Sequence, residues 1–195
     1  MEIENNMNME QFNSLLTKRR SYRKYKDEPL TGDEVQLILE AALLAPTSKN
    51  SRSWSFVVVE DKEMLNKLAH AKPNNGKFIA DAPLAVVVLG NPLSTDVWIE
   101  DASIAATLMQ LQAEVLDLGS CWVQIRGRNF NEAITSSEYV NELLDVPMPL
   151  ETVCILTFGR KVKERNPRSL DSLTWEKVHI GKFSYEGFDL NETEE

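Results

Sequence analysis

Two stretches of the chain concentrate the kind of charge that holds an anion. Residues 18–26 read KRRSYRKYK, with six basic residues in nine positions, and residues 160–168 read RKVKERNPR, with five more. Together they carry eleven of the twenty-one Lys and Arg; the rest of the chain has ten, against twenty-nine acidic residues. Two or three Arg or Lys with one hydroxyl can hold a phosphate dianion by charge-assisted hydrogen bonds. Arg19, Arg20 and Ser21 supply that set in consecutive positions. In an extended segment, Arg19, Ser21 and Arg23 alternate onto one side. No GxxxxGK[ST] is present, and no GxGxxG follows a strand, so side chains rather than a glycine-rich loop must do the holding. The plainer reading of each run is a solvated charged loop.

The rest of the composition narrows the ligand. A formal net charge of −9 opposes general binding to nucleic acid or to an acidic membrane surface. Tyr22 and Tyr25 interleave with the basic residues as in a single-strand stacking platform, but the acidic balance weighs against that use. No apolar run approaches the roughly 20 residues that span a bilayer. The start, MEIENNMNMEQF, is acidic and polar, unlike a secretory signal, so a cytoplasmic protein is expected. Cys121 and Cys154 sit in apolar runs and read as buried reduced thiols. They and the two histidines, His70 and His179, show no ligand spacing, so no metal site is expected.

The elements that must position these residues follow from periodicity. Met9, Phe12, Leu15 and Leu16 recur at helical spacing before the first basic run. Thr31 with Glu34 fits a capping box, and Val35, Ile38, Leu39, Ala42 and Ala45 form the apolar face behind it until Pro46. PTSKNSRS is a polar loop, and WSFVVVE reads as a buried strand. Asp61 can cap a helix carrying Met64, Leu65 and Leu68. APLAVVVLGN is a second strand, and residues 96–118 form a long helix that Gly119 is expected to stop. CWVQI, a short helix over SSEYVNELL and a strand over ETVCILTFG complete the order. The strands lack clean alternation, which implies a sheet covered on both faces within one domain over residues 1–195. About ten residues at the start and six at the end are expected to fray.

RRSYRKYKDEPL, followed by AALLAPTSKNSRSWSFVVVED, resembles the opening of the nitroreductase-like FMN-dependent oxidoreductases. The family pattern is roughly R-R-S-x-R-x-[FY], then A-P-[ST]-x-x-N-x-Q-P-W-x-F; Arg52 and Ser53 stand where Gln-Pro is usual. APLAVVVLG, LDLGSCWVQIRGR and TFGRKVKE with VHIGKF are similar to later blocks, so the resemblance runs in order over residues 12–185.

The resemblance implies an α+β fold, a mixed sheet flanked by helices, in an intertwined homodimer whose C-terminal tail adds a strand to the partner's sheet. It implies FMN as cofactor, with NADH or NADPH as reductant and a nitroarene, quinone or other electron-poor small molecule as oxidant, in ping-pong through one site. Arg19, Arg20 and Ser21 would hold the phosphate and ribityl chain, and Arg23 would approach the N1/O2 edge of the flavin. Pro46, Thr47, Ser48 and Asn50 would reach the flavin from the other subunit. Gln124 and Ile125 would set backbone groups near N5 and O4, and Arg165 or Arg168 would complete the phosphate site. No side-chain acid is obligatory, so no catalytic residue is assigned. The rival from another class, to which the change at Arg52 and Ser53 lends weight, is a non-catalytic FMN-binding or sensing protein on the same scaffold.

Overall fold

The computed structural model describes residues 9–184. Nine elements frame the site. They are α1 (Met9–Lys18), α2 (Gly32–Leu43), β1 (Trp54–Val59), α3 (Lys62–Leu68), β2 (Leu84–Gly90), α4 (Trp98–Val115), β3 (Leu118–Gln124), α5 (Ser136–Leu143) and β4 (Glu151–Arg160). Capping boxes start α2 at Thr31 and α5 at Thr135, and Asp61 caps α3. Each side-chain oxygen satisfies an amide that the first helical turn leaves without a partner.

The four strands run in the order β1-β2-β4-β3, each antiparallel to its neighbours. Period-two geometry sends Leu84, Val86 and Val88 into one core with α2 and α4, and Ala85, Val87 and Leu89 into another with α3 and α5. Both faces are thus covered, as the continuous apolar runs imply, and β2 is buried along its whole length. The expected mixed sheet is corrected in one respect: the named strands are all antiparallel. The parallel pairing among the described residues is a single bridge, Ser21 to Ser120, where the first basic run lies along the β3 edge. The expected frayed ends fall largely outside the described residues, and the described tail from residue 161 to 184 forms no named strand.

Gly119 does not stop α4. The helix ends at Val115, the chain reverses through Asp117 at φ +57°, and Gly119 is already within β3. Its missing side chain serves packing: a Cβ there would come within 2.9 Å of Tyr22. Gly159 does the same on β4, where a Cβ would meet Tyr25 at 2.8 Å. Two glycines therefore seat the two tyrosines of the basic run against the sheet. Among the described residues, no helix is long and apolar enough to cross a membrane.

Candidate functional site

The two basic runs, more than 130 positions apart in sequence, meet in space. Tyr22 and Tyr25 are the anchors, only 5% and 9% exposed, so neither is available to stack on a nucleic-acid base. Tyr25 donates its hydroxyl to the Tyr22 carbonyl at 2.6 Å and shares a 2.7 Å bond with Thr157 Oγ1. Burial pushes its phenol well above the ordinary value, so it stays protonated. Tyr22 Oη donates to Glu164 at 3.3 Å and accepts the Arg165 N–H at 3.2 Å. Backbone bonds from Tyr22 N to the Ser120 carbonyl and from Lys26 N to the Arg160 carbonyl fix the run between β3 and the end of β4.

Two guanidinium groups tie the runs together. Arg165 Nη1 donates to the Ser21 carbonyl at 2.8 Å, and Arg20 Nη1 donates to the Asn166 carbonyl at 2.7 Å. Between the runs opens a cleft of ≈ 270 Å³, walled by Ser21, Arg23, Lys24, Lys163 and Arg165. Ser21 and Arg23 both face the cleft; burial raises the Cys121 thiol, and the Arg23 and Arg19 charges and the Ser21 hydroxyl oppose the rise. Cys154 is fully buried and pushed up by burial alone. Both cysteines are free and stay protonated at neutral pH, away from thiolate chemistry.

The neighbouring basic residues are spent differently. Arg160 makes a bidentate pair with Glu34 at 2.8 and 3.1 Å. Lys161, its side chain 5% exposed, bonds Glu114 and Asp117 at 2.9 Å each and reaches Glu164 at 3.5 Å. Burial opposes the charge on Lys161, but the bonds to Glu114 and Asp117 outweigh it and hold the ammonium protonated. Arg168 lies outside the cleft wall, its N–H on the Thr17 carbonyl at the end of α1. Lys24 and Lys163, which the sequence did not single out, are in the wall.

The second group of candidates, Pro46, Thr47, Ser48 and Asn50, lies at the other end of the sheet, before β1. This loop is strained: Lys49, Asn50 and Arg52 have φ of +51°, +55° and +47°. A buried carboxylate on α4 over-determines it. Asp101, 3% exposed, accepts the Ser48 N–H and the Ser51 hydroxyl at 2.9 Å and the Ser53 hydroxyl at 3.2 Å. Asp101 went unnoticed in the sequence because it lies some fifty positions from the loop that it pins. Nearby, the Arg126 guanidinium sits 5.5 Å from the Trp98 ring at the start of α4. Gln124 ends β3 and bonds Trp122 Nε1 and the Arg126 carbonyl, while Ile125 is buried with its N–H on the Val153 carbonyl.

Whether the cleft suits a phosphate-bearing cofactor is a question of charge. Among the described residues, Arg19, Arg20, Arg23, Lys24, Lys163, Arg165 and Arg168 form no ion pair with a carboxylate. With Glu164 the one carboxylate within the two runs, the cations outnumber it and repel one another, so the residues present fit a dianion at this pole.

A nitroreductase family model matches residues 16–73 and 66–160. The chain belongs to the nitroreductase family, and its antiparallel sheet flanked by helices matches nitroreductase folds. The structure is similar to that of an FMN-dependent nitroreductase from Clostridium difficile R20291. The TM-score is 0.86 at 44% identity, over 88% of this chain and 99% of that one. It is similar as well to a nitroreductase family protein from Clostridium difficile 630, with a TM-score of 0.73 at 28% identity over 87% and 98% of the two chains. A protein of Archaeoglobus fulgidus, provisionally named an NADH dehydrogenase/NAD(P)H nitroreductase, is 31% identical over 81% of this chain and 90% of its own.

Proposed function

We propose that the protein is an FMN-dependent NAD(P)H oxidoreductase that reduces nitroaromatic, quinone or other electron-poor small molecules, and that it works as a homodimer. The observation that carries this reading is the cleft where the two basic runs meet, whose wall cations Arg23, Lys24, Lys163 and Arg165 form no ion pair among the described residues. The names of the Clostridium difficile and Archaeoglobus relatives support the cofactor and the reductant. Bound FMN would supply a two-electron carrier between the nicotinamide and the acceptor.

The chain's own residues would bind and orient it. Arg19, Arg20 and Ser21, with Arg165 and Lys163 opposite, would hold the phosphate; Arg168 is a further candidate just outside the wall. Arg23 would stand at the ring end of the same side. Ser21 lies against Ser120 and Gln124 ends the same strand, so the β3 edge offers a track of about 13 Å. The loop carrying Pro46, Thr47, Ser48 and Asn50 precedes β1, three strands away from β3 and, by register, level with its Gln124 end. That separation, ~14 Å across the strands, supports a loop from a second copy as the one that borders the flavin.

Exposed apolar residues support the dimer further. Leu170, Trp175 and Ile180, on the arm after β4, are 63%, 68% and 96% exposed. An arm with that composition needs a partner surface. An interface above the roughly 1,600 Å² of a standard complex is expected.

The test begins with purified protein. Flavin recovered from it, or taken up from added FMN, at about one per subunit is expected, with a dimer by light scattering. Bleaching of the flavin absorption by NADH or NADPH under anaerobic conditions, reversed by a nitroarene or quinone, completes the expected result. Protein that yields no flavin and takes up no added FMN refutes the reading, and bound flavin that no nicotinamide bleaches would leave the non-catalytic alternative.

A further inference from the structure

Arg52 is the oddest residue of the strained loop. Asn50 tolerates left-handed backbone, whereas an arginine gains nothing from it, and its φ is +47°. Such a conformation persists only where the surroundings impose it. Here they do. The Arg52 N–H donates to Thr47 Oγ1 at 3.1 Å, and the serines on either side of it both donate their hydroxyls to the buried Asp101. The backbone of Arg52 is therefore clamped on both flanks. Its side chain then leans along the loop, with Nε donating to Asn50 Oδ1 at 3.3 Å.

The charge at the end of that side chain has no internal counterpart. Arg52 is exposed, and among the described residues no carboxylate pairs with it, although the chain carries a net charge of −9. A surface arginine serving only solubility needs neither a left-handed backbone nor a clamp. A guanidinium preset in this way loses little freedom on meeting an anion, and its planar fork matches carboxylate or phosphate oxygens.

We propose that Arg52 is a specificity-determining residue, a fixed guanidinium on the loop beside the reaction site that selects reactants bearing an anionic group. The inference rests on the reading that Thr47, Ser48 and Asn50 border the flavin. The anion has two possible sources, a carboxylate on the electron acceptor or the 2′-phosphate of NADPH, and the experiment separates them.

Holoenzyme saturated with FMN is compared as wild type, Arg52→Gln and Arg52→Lys. One arm measures kcat/KM for 4-nitrobenzoate against 4-nitrobenzamide, which differ in charge and little in shape. A second compares NADPH with NADH. A third, free of turnover, measures the Kd of benzoate and of benzamide from the perturbation of the flavin spectrum. Ratios within each arm cancel differences in folded or loaded fraction. If the carboxylate is the source, Arg52→Gln lowers the nitrobenzoate-to-nitrobenzamide ratio about tenfold through KM and weakens benzoate relative to benzamide by a similar factor. If the 2′-phosphate is the source, the NADPH-to-NADH ratio falls about tenfold instead. Arg52→Lys, which keeps the charge but not the fork, falls between wild type and Gln. Changes smaller than threefold in all three ratios overturn the inference while the parent reading stands. Wild-type protein that takes up no FMN overturns the parent reading and this inference with it.

Discussion

Arg160 and Lys161 belong to the same basic run as Lys163, Arg165 and Arg168, yet the two halves of that run do opposite things. Arg160 and Lys161 are neutralised where the chain leaves β4, by Glu34 on α2, by Glu114 at the end of α4 and by Asp117 beyond it. From Lys163 on, the charges form no ion pair among the described residues, and Lys163 and Arg165 share the cleft wall with Arg23 and Lys24. A run of like charge is therefore not one patch. The first half fastens helices to the sheet, and the second half is left for an anion.

The largest effect expected from this contrast is on stability. Lys161→Met should leave Glu114, only 6% exposed, without its partner. Breaking a buried pair from one side costs about 3 kcal/mol. Urea unfolding of wild type and variant at equal protein concentration checks it; a loss below roughly 1 kcal/mol would place Lys161 among the open charges.

The open half should respond through the ligand instead. Arg19→Ala is expected to weaken FMN binding by about 2–3 kcal/mol, the scale of a charge-assisted bond to phosphate, with little change in unfolding. Lys26→Ala, at the exposed edge of the same run, should alter FMN binding little. Fluorescence titration of FMN with the three proteins decides the matter, and equal small effects at both positions would mean that the cleft is only a wet face.

A smaller effect sharpens the neutralised half through pH. Burial works against the Glu34 carboxylate, but the Thr31 amide and the Arg160 guanidinium outweigh it and hold its pKa below the ordinary value. A depressed carboxylate contributes stability that is complete above its unfolded-state pKa and is lost as pH falls through the folded one. Glu34→Gln should therefore cost roughly 1 kcal/mol at pH 7, and the gap should narrow in acid below the ordinary glutamate range of about 4.3. Denaturation midpoints of both proteins at the two pH values measure this, and a gap independent of pH would remove Glu34 from the network.

Most of the scaffold was legible because each element carries its own signal. The buried runs of β2 and β4, the cap at Thr31 and the long helix α4 need only local residues to declare them. Gly119 misled because its use is a contact: Tyr22, almost a hundred positions earlier, occupies the space that a side chain would fill. The basic pole was visible as composition, but its division into spent and open charges was not, since Glu34 is 126 positions from Arg160. The departure at Arg52 and Ser53 looked like a weakened motif. In three dimensions Ser53 supplies a hydroxyl to Asp101, so the loop gains a clamp at that position.

The finest distinction lies within the open half, between Arg19 and Arg23. Both are close enough for their charges to act on the Cys121 thiol, and in an extended segment alternate residues face one side. At about 3.3 Å per residue they stand roughly 13 Å apart along the chain, the separation of opposite ends of one cofactor. Arg23 is exposed, with its guanidinium 5.8 Å from the Phe78 ring, and has no carboxylate partner among the described residues. If it serves the ring end, its charge favours the reduced flavin, which is more negative than the oxidised form. Arg23→Gln should then lower the two-electron potential by an amount set by one solvent-exposed charge, about 1 kcal/mol or ~20 mV. It should slow reduction by the nicotinamide more than it loosens FMN. Arg19→Ala should do the reverse, costing affinity while leaving the potential of bound flavin nearly unchanged. Redox titration of both variants at saturating FMN separates the two roles. An unmoved potential with looser FMN in Arg23→Gln would assign Arg23 to the phosphate, and the pole would then hold one end of the cofactor only.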